Sequence, residues 1–210
     1  VVVNDPGGAS DGSGSSAAPA EEVVEEIKKR GGTAAANFES VAEAIPAKLV
    51  FAALMKVAPF SPFVPQYAEV SDAITMAANQ DPLFPGDKEG CKKTAAILIA
   101  LAWFESRFQP NVVGDNGRSF GLYQIQPPTA KVQSNLLTNP KTASFIAVDL
   151  IRRSFQACEK RPYEERLSWY VSSNGCPSHP VIVKKSMDRL LMATSILPML
   201  TPPPALPPKK

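Results

Sequence analysis

The strongest constraint on the fold is a run without charged side chains in the middle of the chain. Between Thr94 and Phe104, every residue after the threonine is apolar. A helix that is apolar on all sides belongs in the interior of a protein, and this run is shorter than the roughly 18 residues of a membrane span. The sequence therefore predicts a buried central helix over about residues 87–107, ended by Pro110.

Glu105 follows this run directly. A carboxyl group after so many apolar residues is desolvated, and at the C-terminal end of its helix it also meets the negative end of the helix dipole. Both effects disfavour the anion, so the sequence predicts a side chain that holds its proton near neutral pH and acts as a general acid. A surface glutamate that ends the helix is the alternative for this residue taken alone.

The remaining hydrophobic periodicity is helical throughout. Apolar residues at helical spacing predict helices within 38–58 and over 66–79, and Asn139 followed by Pro140 is typical of a helix start. Further helices are expected from Asn139 to about residue 160, over 162–171 and over 180–196. Since no alternating run indicates a strand, the predicted fold is all-α.

The two ends of the chain have a different composition from its middle. The first twenty residues are mostly Gly, Ser, Ala, Asp and Pro, which bury too little apolar surface to fold. The acidic and basic residues of 20–30 indicate either a short exposed helix or a solvated charge run. We therefore expect a flexible linker with a short helix at 1–37, a helical extension at 38–80, a catalytic domain at 81–197 and a proline-rich tail at 198–210.

Charge and composition exclude several functions. The chain has 210 residues, 44% of them hydrophobic, which is enough for one domain with a real core. A net charge of +2, without a run of basic and aromatic residues, argues against nucleic acid as a partner. No membrane span and no secretory signal is visible in the sequence, which begins at Val1.

Three cysteines and a single histidine leave three interpretations open. Cys91, Cys158 and Cys176 are ordinary buried thiols by default. A disulfide between two of them would fit an oxidising compartment. Cys176 and His179 also have the spacing of half a zinc site, which the other two cysteines would complete.

A glycine-rich segment after the central helix offers neutral hydrogen-bonding groups. Gly114-Asp-Asn-Gly117 predicts a tight turn, and Ser119-Phe-Gly-Leu-Tyr-Gln124 supplies a hydroxyl, a residue without a side chain and an amide. Such a segment can lie close to an extended ligand. A sugar chain, with many neutral donors and acceptors, is the ligand that fits it.

These segments carry a resemblance to a known family. Trp103-Phe-Glu-Ser106, followed by Ser119-Phe-Gly-Leu-Tyr-Gln-Ile125, resembles the Glu-Ser and Gly-Leu-Met-Gln-Ile signatures of the lytic transglycosylase and goose-type lysozyme superfamily. The resemblance covers about residues 87–196. It implies a helical lysozyme-like fold, with peptidoglycan glycan strands as the substrate.

The resemblance also implies roles for single residues. Glu105 takes the place of the catalytic acid and base, and Tyr123 stands where the family has a methionine. A third family motif has only a partial counterpart in Leu167–Gly175, where either Tyr170 or Asn174 matches. The residues expected near the glycan are Ser106, Ser119, Gly121, Tyr123, Gln124, Tyr170 and Asn174.

Two chemistries are open for such a site. A lytic transglycosylase uses one glutamate and leaves 1,6-anhydro-muramic ends, whereas glycoside hydrolysis normally needs two carboxylates. Asp115 matches an aspartate of the goose-type lysozymes and would make this a hydrolase (muramidase), although a second expected aspartate is replaced by Gln126. Asp115 is also a natural turn former.

A third hypothesis is a non-catalytic glycan-binding or structural module of a phage particle or a secretion apparatus. The linkers would then join it to a larger virion or envelope assembly. On any of these interpretations no cofactor is required, since acid–base chemistry needs none, and no acidic cluster with metal-ligand spacing stands out. We expect the protein to act in the cell wall, the periplasm or outside the cell, or as part of a virion.

Overall fold

The N-terminal region forms a small strand–helix–strand unit. The structure is a computed structural model and describes residues 2–4, 18–33, 35–37, 42–173 and 175–202. Strand β1 (Val2–Asn4) pairs in parallel with β2 (Ala35–Asn37), and helix α1 (Ala18–Lys29) connects them and contacts both. A parallel pair needs a long crossover of this kind.

The unit lies within residues 1–37, where a flexible linker with a short helix is predicted. The helix was expected from the charge pattern, but the two strands were not, because three-residue runs are too short to show an alternating pattern. Residues 5–17, which make up most of the segment expected to be disordered, lie outside the described residues.

A helical hairpin precedes the central helix. Helix α2 (Ala47–Val57) is followed by a 3-10 turn (Val64–Gln66) and by α3 (Tyr67–Gln80), which packs against α2. The Asn79 side chain accepts a hydrogen bond from the Ile45 N–H and donates one to the Ile45 carbonyl, both at 2.9 Å. This pair of bonds holds the start of α2 against the end of α3. Residues 38–41, where the first helix was predicted to begin, lie outside the described residues.

Helix α4 (Gly90–Ser106) is the centre of the fold, as the uncharged run predicted. All its residues from Ala95 to Ala102 are at most 2% exposed. It ends where Arg107 adopts a left-handed conformation and the Phe108 N–H bonds back to the Ala102 carbonyl. The side chain of Glu105 therefore leaves the last turn of a buried helix.

A two-stranded hairpin and three helices follow. Strands β3 (Val113–Gly114) and β4 (Ser119–Phe120) pair antiparallel, and they were not predicted because each is only two residues long. Short helices α5 (Pro127–Ala130) and α6 (Ser134–Leu137) lead to α7 (Pro140–Ala157), which packs against α3 and α4. Asn139 caps α7 as predicted, since its side chain accepts from the Thr142 N–H at 3.0 Å.

The last part of the chain closes the core. A 3-10 turn (Tyr163–Glu165) and helix α8 (Ser168–Ser172) replace the single helix predicted over 162–171. Helix α9 (Pro180–Ile196) has the predicted bounds and packs against α4. A final 3-10 turn (Leu197–Leu200) buries Leu200 completely, so the folded domain extends into the segment predicted as a tail from 198. Residues 203–210 lie outside the described residues.

A disulfide joins Cys158, after α7, to Cys176, in the loop before α9. Both sulfurs are consumed in this bond, which rules out the zinc site proposed from Cys176 and His179. Cys91 keeps a buried free thiol, and burial raises its pKa. His179 instead caps α9, where its ring accepts from the Val181 N–H.

The described residues are mostly helical, which confirms the all-α class. Among them, no helix combines the length and apolar character needed to cross a membrane.

Candidate active site

The Glu105 cavity lies where the C-terminal end of α4 meets the β3–β4 hairpin, α8 and α9. Its volume is about 220 Å³. It is open to solvent and offers polar groups from several separate chain segments, which is the form expected of a site that binds a polar ligand. The residues that line it are Glu105, Asp115, Ser119, Tyr123, Gln124, Ile125, Gln126, Thr129, Leu150, Trp169, Tyr170, Val171, Ser173, Lys185 and Arg189.

The Glu105 carboxylate is ion-paired, which the sequence did not indicate. Its side chain is 20% exposed, and Arg189 donates two hydrogen bonds to its Oε1, from Nη2 at 2.6 Å and from Nε at 3.0 Å. The run before Glu105 predicted a desolvated carboxyl group, and it gave no sign of this charged partner.

Arg189 is held on several sides. Its Nη1 donates to the Lys185 carbonyl at 2.8 Å, and its Cζ lies 5.0 Å from the centroid of the Phe104 ring. The side chain is 9% exposed. Since 84 residues separate it from Glu105 in sequence, only the packing of α9 against α4 brings the two together.

The hairpin turn presents a second carboxylate to the cavity. Asp115 has a positive φ of 49° and accepts a hydrogen bond from the Ser119 hydroxyl. The N–H of Gly117 bonds to the Gly114 carbonyl at 3.0 Å, which gives the tight turn predicted from the sequence. Asp115 and Ser119 are therefore both placed in the cavity wall, and the hydroxyl holds the carboxylate.

Gln124 and Tyr123 also line the cavity, but most of their polar atoms form hydrogen bonds within the protein. The Gln124 amide nitrogen donates to the carbonyls of Val112 (3.2 Å) and Gly121 (2.9 Å). The Tyr123 hydroxyl shares a 3.0 Å hydrogen bond with the hydroxyl of Ser144, and burial raises the pKa of Tyr123 well above its ordinary value. The structure thus brings both residues to the cavity with their side chains already fixed.

Tyr170 lies beside Glu105. Its hydroxyl donates to the Tyr123 carbonyl at 3.1 Å. Burial first, and then the negative charges of Glu105 and Tyr123, raise the pKa of Tyr170 well above its ordinary value, while Arg189 opposes this in part. Tyr170 therefore stays neutral over the ordinary pH range. Its alternative in the partial third motif, Asn174, lies outside the described residues.

Two predicted contact residues lie outside the cavity lining. The Ser106 hydroxyl is buried, 2.8 Å from the Leu122 carbonyl and 3.0 Å from the Ala102 carbonyl, so it ties the glycine-rich segment to α4. Gly121 has a φ of +73°, and a Cβ there would be 1.8 Å from the Leu137 carbonyl oxygen. The placement of both residues points to support of the cavity wall instead of direct contact with a ligand.

Several lining residues were missed from the sequence. Lys185 and Arg189 are four apart on α9, and this basic pair is the one local signal that could have been noticed. Trp169 adds an aromatic side chain beside Tyr170. Within the described part of the chain, no three His, Cys, Asp or Glu side chains are grouped so that they could hold a metal ion.

Comparison with known proteins gives two short similarities and one family match. A segment of 42 residues, 20% of the chain, is 62% identical to a protein of Mycobacterium tuberculosis described as a short-chain type dehydrogenase/reductase, and it covers 15% of that protein. A segment of 41 residues, also 20% of the chain, is 63% identical to peroxisomal multifunctional enzyme A of Dictyostelium discoideum and covers 9% of it. The chain thus spans only a small part of the length of both relatives, so their activities are not assigned to it. No solved structure matches the chain significantly.

The family match falls on the helical domain. Residues 87–175 match the model of the transglycosylase SLT domain. They include Glu105, the hairpin, Gln124 and Tyr170. The match confirms the resemblance drawn from the Glu-Ser and Gly-Leu motifs. Residues 87–175 are therefore similar to the transglycosylase SLT domain, in agreement with the helical lysozyme-like fold that the resemblance implies.

Proposed function

We propose that this chain is a lytic transglycosylase that cleaves the β-1,4 bond between N-acetylmuramic acid and N-acetylglucosamine. The observation that carries the proposal is the position of Glu105 in the Glu105 cavity, together with Ser119, Gln124 and the neutral Tyr170. Both described hydrogen bonds to its carboxylate reach Oε1. Among the described residues, none donates to Oε2, which leaves that oxygen for the substrate.

The proposed reaction needs one carboxyl group and no water. In the first step the Glu105 carboxyl gives its proton to the bridging oxygen, and the bond from C1 of the muramic acid to that oxygen breaks with its electron pair on the oxygen. The substrate's acetamido group stabilises the positive charge left at C1. In the second step the Glu105 carboxylate takes the proton of the C6 hydroxyl while O6 bonds to C1, which closes the 1,6-anhydro ring.

The wall of the cavity is suited to a neutral glycan. Trp169 supplies an aromatic side chain, while Gln126, Thr129 and Ser173 supply amide and hydroxyl groups around the carboxylate. Hydroxyl and acetamido groups of a sugar chain can form hydrogen bonds with such side chains without bringing a charged group into the cavity. Ser119 in the hairpin holds Asp115, whereas Arg189 on α9 holds Glu105.

A hydrolase is the second candidate, and the position of Asp115 favours it. Asp115 lines the same cavity as Glu105, so two carboxylates are available there, as glycoside hydrolysis normally requires. Gln126 also lines the cavity but carries no carboxylate. Mass spectrometry of digested peptidoglycan separates the two reactions, because anhydro-muramic ends require the transglycosylase and reducing ends require attack by water.

Glu105→Gln tests the proposed activity. The amide has nearly the same shape but cannot supply the proton, so clearing of purified peptidoglycan should fall by about 10²- to 10⁴-fold, the range of general acid–base contributions. Glu89→Gln is the matched control, since Glu89 lies at the other end of α4 and pairs with Lys92 at the surface. Clearing at the wild-type rate by Glu105→Gln would mean that Glu105 is not the acid, whereas no clearing by the wild type itself would favour the non-catalytic glycan-binding module.

We also propose that the protein acts in the cell wall, the periplasm or outside the cell. The Cys158–Cys176 disulfide supports this, because such bonds persist in oxidising compartments. Attachment to a larger virion or envelope assembly remains part of the same proposal. Copurification of the full chain with cell envelopes or with phage particles would test it.

A further inference from the structure

Arg189 is the most enclosed charged group at the Glu105 cavity. Its Nε, Nη1 and Nη2 each donate to an oxygen of the protein, and the Phe104 ring lies beside its guanidinium. A planar group bonded on three nitrogens has little freedom to turn. Arg189 can therefore impose an orientation on the carboxylate that it contacts.

We propose that Arg189 is the positioning residue for Glu105, holding Oε1 so that Oε2 is the oxygen that carries the proton in both steps. This inference rests on the proposed function. Oε2 would release its proton to the bridging oxygen in the first step and accept the C6 hydroxyl proton in the second. Arg189 donates both hydrogen bonds to Oε1, at 2.6 and 3.0 Å. Because Oε1 is occupied in this way, it takes no part in the proton transfer.

Arg189 is one of several charged or titratable groups around Glu105. Other charged or titratable groups face Glu105 from each neighbouring element: Lys185 from α9, Asp115 from the hairpin, Tyr123 from the segment after it and Tyr170 from α8. Of these, Tyr123 and Tyr170 remain neutral at ordinary pH.

A purely structural role for Arg189 would give a different result. A buried ion pair contributes little net stability, and removal of one partner leaves the other uncompensated. Such a loss would lower the amount of folded enzyme, whereas misplacement of Oε2 would lower the kcat of the enzyme that is folded. The kcat per folded molecule, measured beside KM, therefore separates positioning from structure.

The experiment compares wild type, Arg189→Met and Arg189→Lys on purified, uncross-linked peptidoglycan glycan strands. Arg189→Met should lower kcat by about 10- to 100-fold with little change in KM, since misplacement of a reacting group has effects of this size. Arg189→Lys keeps a charged donor but lacks the planar guanidinium, so it should restore only part of kcat.

Lys184→Met is the matched control, because Lys184 lies on the same helix and pairs with Asp188 at the surface. It should keep the wild-type kcat and KM. Wild-type kcat per folded molecule in Arg189→Met, or an effect on KM alone, overturns the inference. If Arg189→Met is not folded by circular dichroism, wild-type kcat per folded molecule in Arg189→Lys overturns it instead.

The outcome also separates this inference from the proposed function. An inactive Glu105→Gln enzyme beside a fully active Arg189→Met enzyme rejects only the positioning role. Full activity of Glu105→Gln rejects the proposed function itself.

Discussion

Helices α4 and α9 line two cavities of similar size that differ in chemistry. The Glu105 cavity, about 220 Å³, receives Glu105 from α4 and Arg189 from α9. The second, which we call the Ile97 cavity, is about 240 Å³ and lies nearer the start of α4 and the end of α9. The residues that line it are Phe84, Lys93, Ala96, Ile97, Tyr163, Ala193, Thr194 and Leu197.

The difference shows that volume does not identify a site in this protein. The Ile97 cavity has mostly apolar walls, and its one lysine is already paired with Asp87. The Glu105 cavity instead gathers carboxylate, amide, hydroxyl and guanidinium groups, and one carboxylate oxygen accepts no hydrogen bond among the described residues. Substitutions at the Ile97 cavity should therefore change stability, whereas those at the Glu105 cavity should change activity.

The largest effect on stability is expected from Ile97→Ala. Ile97 is 2% exposed, and truncation of a buried isoleucine to alanine costs about 2–5 kcal/mol of the free energy of unfolding. Urea unfolding would measure this loss. Leu191→Ala is the control on α9, because Leu191 is 54% exposed and should change stability by less than about 0.5 kcal/mol. Loss of activity per folded Ile97→Ala molecule would contradict the separation of the two cavities.

Loss of the disulfide should have the next largest effect. A loop closed over 18 residues contributes about 3 kcal/mol when the bond constrains the unfolded chain. The closed loop contains α8, so the Tyr170 side of the Glu105 cavity should loosen and kcat/KM should fall as well. Thermal unfolding with and without a reducing agent gives the measurement. In a Cys158→Ala, Cys176→Ala variant the reducing agent should have no further effect; a further decrease would assign the loss to another cause.

Alkaline pH should lower the unfolding free energy more through the tyrosines of the Glu105 cavity than through the tyrosine of the Ile97 cavity. Burial raises the pKa values of Tyr123 and Tyr170 well above 10, and it also raises that of Tyr163, which lines the Ile97 cavity and is 39% exposed. Each folded pKa lies above the unfolded value, so the associated stability is complete below about pH 10 and is lost as the pH rises further.

Phenylalanine variants should resolve this difference. Above about pH 10 the unfolding free energy should fall less steeply with pH in Tyr123→Phe or Tyr170→Phe than in the wild type. Tyr163→Phe should reduce this slope by a smaller amount. Urea titrations between neutral pH and strongly alkaline pH would test the order. An equal effect of all three substitutions would contradict the comparison of buried and half-exposed tyrosines.

The sequence correctly predicted the elements that depend on neighbouring residues. The uncharged run predicted α4, Asn139 predicted the start of α7, and the predicted bounds of α9 agree with the structure. In each case the pattern and its cause lie within a few residues. The family motifs likewise lie close together, between Trp103 and Ile125, and the family match confirms the resemblance that they carry.

What could not be predicted depends on residues that are distant in sequence. Nothing near Arg189 indicates a partner 84 residues earlier, because that contact arises from the packing of two helices. The same holds for the parallel pairing of β1 with β2 and for the choice of Cys158 and Cys176 over Cys91. The ligand contacts at Ser106 and Gly121 stay predictions, and the motif behind them did not indicate that Ser106 bonds to the Leu122 carbonyl or that Gly121 lies close to the Leu137 carbonyl.

The smallest effect is expected at the rim of the Ile97 cavity, from Lys93→Met. Burial alone would raise the pKa of Asp87, but the hydrogen bond and charge of Lys93 and the Glu89 N–H outweigh it, so the net pKa is lowered. A lowered folded pKa gives stability that is present above about pH 4 and lost as the pH falls through the folded value.

Both partners of this pair are more than a third exposed, so its contribution at neutral pH should be only about 0.2–1 kcal/mol. Lys93→Met should therefore lower the unfolding free energy by that amount at pH 7, and high salt should shrink the difference. At a pH low enough to protonate Asp87 the variant should be as stable as the wild type. Peptidoglycan clearing should not change at any of these pH values, because Lys93 lines the cavity to which no chemistry is assigned. A change in clearing without a change in stability would mean that the Ile97 cavity also takes part in substrate binding.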